Sequence, residues 1–182
     1  MRNVTFSMNI SVDGYCDHTH FNPDEEIFEF FTDYLKELDT VVYGRKTYEL
    51  MVPYWPEVAK AKSGTKPVNE FAEILTSVDK VVFSKTLDSV EGNTRIVREN
   101  PEDEIRKLKQ QPGKKISIGG VNLFSQLMPT GLIDEFYFVV HPIIVGEGKR
   151  LFDDMGLQDK LNLKLVDSKV FKSGALGLHY LK

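Results

Sequence analysis
The sequence predicts an α/β fold built on a largely parallel sheet, with antiparallel strands at one edge. Three observations carry this. Short β-branched runs alternate with amphipathic segments of helical period, the pattern of strand–helix–strand units. Glycines stand where such strands end, at Gly44 and at the pair Gly119-Gly120. The tail alternates Leu161, Leu163, Leu165 and later Leu176, Leu178, Tyr180 about a Ser173-Gly174 turn, which reads as a terminal antiparallel hairpin.

Taken in order, Val4 to Ile10 reads as a strand, and Ser11 to Tyr15 as a turn built on Asp13-Gly14. The first helix has Asn22 as its expected cap and Pro23 at its first position. Asp24, Glu25 and Glu26 follow at the positive end of the dipole. Its apolar stripe is Ile27, Phe30, Phe31, Tyr34, Leu35 and Leu38. Thr40 to Tyr43 is a short strand closed by Gly44. The stretch from Met51 to Pro67, with three prolines and the only Trp, reads as irregular, and a helix is expected from Val68 to about Leu75. Strands follow at Asp79–Phe83 and Thr94–Arg98. Asn100-Pro101-Glu102-Asp103-Glu104 opens a helix running to Lys109. Lys115–Ile118 is a strand, the helix after the glycine pair stops near Met128, and Asp134–Val145 is strongly β-like.

The 182 residues make one domain the economical reading, 1–182, with enough chain to bury a core. Apolar residues at 41% and charged residues at 27% argue against disorder. A net charge of −4 gives no electrostatic reason to expect nucleic acid as partner. The one cysteine, Cys16, excludes an intrachain disulfide and a cysteine-held zinc, and the four histidines show no metal-binding spacing, so no metal is expected. No apolar run reaches the length of a membrane span, and a cytoplasmic protein is the expectation.

The chemistry-bearing residues gather at three strand ends, where open α/β sheets bind ligands. Gly119 and Gly120 lack Cβ at a helix start, which suits either the approach of a phosphate or a tight turn. The full G-x-G-x-x-G spacing is absent. After Gly44, the residues Arg45, Lys46 and Thr47 put cations where the helix dipole disfavours them, which points to an anion grip over a plain surface turn. Ser84 and Lys85 repeat the hydroxyl-plus-cation theme and suit a 2′-phosphate. Together the three ends could hold separate phosphates of one dinucleotide. Asp13 at the first strand end, and Asp24 beside the first apolar stripe, are candidate carboxylates with ordinary turn and dipole explanations beside them. The loop from His141 to Phe152, carrying Gly146, Gly148, Lys149 and Arg150, reads either as a substrate-side wall or as an exposed connection.

SMNISVDGY, VVYGRKTYELM, KVVFSKTL, SIGGVNLFSQLMPTGLIDEFYFVVHPIIVGEGKRLF and the closing hairpin, in this order, resemble the dihydrofolate reductase-like superfamily. The similarity is specifically to the C-terminal reductase domain of the bifunctional riboflavin-biosynthesis deaminase-reductase, and it spans nearly the whole chain. The resemblance implies a three-layer α/β/α fold around a mixed, mostly parallel sheet of about eight strands. It implies NADPH as hydride donor, with Gly44, Arg45, Lys46 and Thr47 at its phosphates and Ser84 and Lys85 at the adenosine 2′-phosphate. Gly119, Gly120, Val121, Asn122 and Leu123 would cover the pyrophosphate and nicotinamide ribose. The implied substrate is a small heterocycle, pyrimidine or pterin, with Asp13 at a sugar hydroxyl and Lys149 or Arg150 at a phosphate. Asp24 or Glu25 would serve a pterin by helping to protonate it. A homodimer is the oligomeric state that the resemblance implies.

Overall fold
Strand β1, Val4–Ser11, takes two parallel neighbours and is covered on both sides, so its first residues are buried without alternation. The computed structural model describes residues 1–153 and 155–182. After β1 come α1 (Glu25–Lys36), β2 (Leu38–Gly44), α2 (Arg45–Met51), α3 (Trp55–Ala61), α4 (Lys66–Ser77), β3 (Asp79–Phe83) and β4 (Thr94–Val97). The chain continues through α5 (Pro101–Gln110), β5 (Lys115–Gly119), α6 (Val121–Leu127), β6 (Glu135–His141), β7 (Lys164–Val170) and β8 (Leu176–Leu181). The strands form one eight-stranded sheet in the order β4-β3-β2-β5-β1-β6-β8-β7. The pairs from β4 to β6 are parallel, while β8 and β7 close the edge antiparallel.

The period of two along each strand sends neighbouring side chains to opposite layers. Val41 and Tyr43 of β2 join Tyr34 and Leu35 of α1 and Phe71 and Leu75 of α4. Val42, between them, faces the other way and joins Phe6, Ile116 and Ile118 with Leu108 of α5 and Phe124 of α6. Helices therefore cover both faces, giving the expected three layers. The chain runs outward from β1 through β2 and β3 to β4, then returns to insert β5 between β2 and β1, and β6 takes the other side of β1. That reversal opens a crevice beyond the carboxyl ends of β2 and β5.

Four local expectations change. The cap of α1 is Asp24, not Asn22: its carboxylate accepts from the Ile27 amide at 2.9 Å, and Pro23 stays outside the helix. The Met51–Pro67 stretch is helical in part, because Pro56 and Pro67 fall in the first turns of α3 and α4, where no intrahelical N–H is required. Trp55 is fixed there against Phe71, ring centroids 4.7 Å apart. Strand β6 stops at His141, since Pro142 has no amide for a ladder. In the hairpin, β7 starts at Lys164, so Leu161 and Leu163 precede it. The turn itself is as expected, with Gly174 at φ +84° and its amide donating to Phe171 O at 2.9 Å.

The capping role of Asp24 sets a magnitude. Asp24→Ala lowers the unfolding free energy by about 1 kcal/mol, and Asp24→Ser recovers most of it. Urea denaturation followed by circular dichroism measures both, and equal losses in the two variants would remove Asp24 from the cap.

Candidate functional site
A cleft of about 940 Å³ lies beyond the carboxyl ends of β2, β3, β4 and β5. Gly44 to Thr47 form one wall, Phe83 to Lys85 the next, and Gly119 to Leu123 the third, so the three strand ends singled out in the sequence meet in one place. The end of β4 and the start of α5, Val97 to Pro101, complete the lining. This fourth wall was missed in the sequence, although Thr94–Arg98 is followed by the same kind of strand-to-helix turn.

The cleft is basic in an acidic chain. Arg45, Lys46, Lys85, Arg98 and Lys149 line it against one carboxylate among the described residues, Glu99, which is held by Lys107 at 3.0 Å. Arg45 reaches Glu49 at 3.2 Å across an exposed pair. Lys46, Lys85, Arg98 and Lys149 have no ion-pair partner among the described residues. Arg98 instead donates to the carbonyls of Ser84, at 3.1 Å, and Leu87, at 2.7 Å, and so ties the β3 loop to the end of β4. Ser84 Oγ accepts from the amides of Thr86 and Leu87 at 3.2 and 3.0 Å, which shapes that loop from within. Cations clustered this way focus a field that attracts a polyanion.

The glycine pair has an intramolecular cause. A Cβ on Gly119 would stand 2.5 Å from Tyr43 Cε1, and one on Gly120 would collide with Thr47 Oγ1. Gly120 also holds φ at +99°, where side chains are strained. Both glycines are thus required by the close approach of β2 and the start of α2, whatever binds beside them. Helices α1 and α5 have their first amides capped by Asp24 and Asn100. At α2 and α6 no side chain caps, and these amides border the cleft.

A second cavity of about 390 Å³ opens on the α1 side of the sheet. Its walls are mostly apolar, with Phe31, Leu35, Met51 and Phe71 among them, while Ser7, Asn9 and Ser117 give the sheet floor polar groups. The buried Tyr34 hydroxyl is bonded to Thr5 Oγ1 at 2.6 Å and Ser117 Oγ at 2.7 Å. Burial pushes the Tyr34 phenol up, so it remains neutral. Cys16 also borders this cavity. Its thiol is pushed up by burial and donates to the Lys149 carbonyl at 3.3 Å, the state of an unreactive cysteine. Thr47, Gly119, Gly120, Val121 and Lys149 line both cavities, so the two meet at the glycine pair. Lys149 Nζ bonds Asn122 Oδ1 across that junction.

The predicted carboxylates lie elsewhere. Asp13 accepts from Ser11 Oγ at 2.6 Å, Gly146 N at 2.9 Å and Val145 N at 3.1 Å, fastening the loop after β6 to the end of β1. Those bonds, Ser11 first, bring its carboxyl down to about 2. Asp24 caps α1, and Glu25 sits exposed in its first turn. Arg150 pairs with Tyr15 in an isolated bridge and lays its guanidinium over that ring at 5.0 Å. None of these four lines either cavity, whereas Lys149 lines both. No helix among the described residues is long and apolar enough to cross a membrane.

An open, mostly parallel α/β sheet with a basic cleft at its topological switch is the architecture of a doubly wound ligand-binding protein. The chain belongs to the RibD C-terminal domain family, whose model matches residues 2–176. It is 32% identical over 183 aligned positions to the uncharacterised protein YyaP of Bacillus subtilis (strain 168), covering 98% of this chain and 94% of YyaP. It is 30% identical over 157 positions to the uncharacterised YwjB of the same organism, covering 84% and 78%. Among solved structures, a protein of Shewanella sp. PV-4 ascribed to riboflavin biosynthesis superposes with a TM-score of 0.73 at 23% identity, covering 100% of this chain and 98% of that one. A pyrimidine reductase-like protein of Corynebacterium diphtheriae gives 0.67 at 16% identity, covering 99% and 91%. The architecture is shared with both.

Two outcomes follow from the site geometry. Gly120→Ala destabilises more than Gly14→Ala, by about 1 kcal/mol or more, because both have positive φ but only Gly120 faces a side chain. Comparative urea denaturation measures the difference. For Asp13, the folded carboxyl is depressed below its unfolded value, so its contribution is present above pH 4 and fades as pH falls towards 2. Asp13→Asn is therefore less stable than wild type at pH 7, with the gap closing through that acid window. A gap that persists unchanged to pH 2 would mean that the charge is not what holds the loop.

Proposed function
We propose that the protein is an NADPH-dependent reductase of a small pyrimidine, of the riboflavin-pathway type. The observation that carries this is the junction of a basic cleft and an apolar pocket at Gly119-Gly120. The cleft fits the phosphates of a dinucleotide, and the pocket fits a flat ring. Bound there, the dinucleotide supplies a hydride to an electrophilic carbon, the ribose C1′ of a ribosylaminopyrimidine phosphate.

In this reading Gly44, Arg45, Lys46 and Thr47 hold phosphate, and the uncapped amides of α2 and α6 add donors. Ser84 keeps the β3 loop in shape while Lys85 and Arg98 supply charge to the 2′-phosphate. Gly119 to Leu123 lie along the pyrophosphate and nicotinamide ribose. Lys149, at the junction, meets the substrate phosphate, and its bond to Asn122 lets it report on cleft and pocket together. The pterin alternative is weaker, because it asks for a carboxylate inside the apolar pocket. Asp24 and Glu25 line no part of it, and Asp17, the one carboxylate among the described residues that does, is exposed and bonded to Thr19. A non-catalytic nucleotide-binding module would show cofactor binding without turnover.

A homodimer and a cytoplasmic location belong to the same proposal. Strand β7 is exposed along its whole length, with Val170 at 75% and Leu165 at 49% accessible, and no helix among the described residues covers it. A second copy would bury that apolar surface. Light scattering is expected to give twice the chain mass, and Val170→Glu to halve it.

Calorimetric titration tests the cofactor. NADPH binds saturably and more tightly than NADH. Lys85→Ala weakens NADPH about tenfold and leaves NADH unchanged, as loss of one phosphate-specific charge contact predicts. Absence of binding by both nucleotides would reduce the reading to shared architecture.

A further inference from the structure
Strand β1 carries a polar row on its α1 side, Thr5, Ser7, Asn9 and Ser11, at the period of two. The outer members are engaged inside the protein, Thr5 with Tyr34 and Ser11 with Asp13. Ser7 and Asn9 line the apolar pocket. Asn9 is held by a residue that does not itself line the pocket. Its Oδ1 is bonded to His141 Nε2 at 2.9 Å, and its Nδ2 has no hydrogen-bond partner among the described residues.

His141 is well placed to hold that direction. It is 7% exposed and stacks on the Phe21 ring at 4.5 Å and 24°. Burial lowers its imidazole below the usual histidine range, with the Asp24 charge opposing, so the ring is neutral at pH 7. With Oδ1 toward Nε2, the neutral ring carries its proton on Nε2. The amide oxygen is then occupied from behind, and the pocket receives the amide N–H donors alone.

We propose that Asn9 is a specificity-determining residue of the apolar pocket, held by His141 as its positioning residue, and that it selects a ring whose edge presents a hydrogen-bond acceptor. The acceptor is a ring carbonyl oxygen or an unprotonated ring nitrogen. A ring with an amino group at that edge meets donor against donor and is rejected. The proposal rests on the pocket being the substrate side of the reductase described above.

The test uses two small rings of the same shape, 6-aminouracil and 1,3,5-triaminobenzene; the first presents carbonyl acceptors, and the second carries amino donors at its edge and has no ring nitrogen. Each is titrated calorimetrically into the full chain, with and without NADPH, at a pH where both are neutral. Wild type is expected to prefer 6-aminouracil by about tenfold, the size of one well-made buried hydrogen bond. Asn9→Asp, which presents acceptors only, inverts the order. His141→Phe keeps the stack on Phe21 but frees the amide to turn, so the preference collapses to less than about threefold while the melting temperature holds. His141→Gln, which retains a donor, restores it. An unchanged order in Asn9→Asp, equal binding of the rings by wild type, or binding of neither ring would each overturn the proposal. The NADPH titrations on the same samples judge the reductase reading separately, since Asn9 lies outside the basic cleft.

Discussion
The close approach of β2 to β5 at their carboxyl ends is the constraint on which the site depends. Tyr43 lies across Gly119, and Thr47 reaches Gly120, at separations that exclude a Cβ on either glycine. Tyr43 is fully enclosed beneath this contact, so the two strand ends and the first turns of α2 and α6 form one rigid corner. Both cavities use that corner as a shared wall. Its position fixes the distance between whatever occupies the basic side and whatever occupies the apolar side.

Charge then separates the two sides. The chain is acidic as a whole, yet the cleft concentrates cations, most of them without carboxylate partners among the described residues. Unneutralised cations at a helix start are unfavourable in the free protein, and an anionic ligand relieves the repulsion. The pocket on the other side has no such concentration. The polar groups of its sheet floor are hydroxyls and one amide, set there by the period of β1 and β5 and bonded to Tyr34 and His141. In the function proposed above, ligand charge is read on one side of the corner and ligand hydrogen-bond pattern on the other.

The layers, the parallel sheet and three walls of the cleft were legible in the sequence because each follows from local chemistry. Period and β-branching mark the strands, glycine marks their ends, and misplaced cations mark the anion-attracting turns. The cap of α1 was misjudged by two residues, since Asn22 and Asp24 are both good caps and only Ile27 packing into the core decides between them. The helix α3 was hidden because Pro56 is a breaker in mid-helix and harmless in a first turn. The pocket could not be seen at all. Ser7, Asn9 and Ser117 come from strands distant in sequence, and their convergence with Phe31 and Tyr34 exists only once β5 lies beside β1. The candidate carboxylates Asp13 and Asp24 are occupied by backbone amides nearby and line neither cavity.

The late arrival of β5 has a consequence for how the protein comes into being. β1 and β2 are consecutive strands that never touch; the strand between them is made only after β3, β4 and α5. A chain emerging from the ribosome therefore holds two apolar strands apart, with unpaired edges, until the segment ending at Gly119 is released. Helical units such as α1 with α4 can form early, since their contacts are comparatively local. β5 joins β1 to β2 and brings to both cavities the wall formed at Gly119-Gly120. Until β5 is made, the facing edges of β1 and β2 have no partner, and unpaired strand edges are the surfaces through which incomplete chains misassemble.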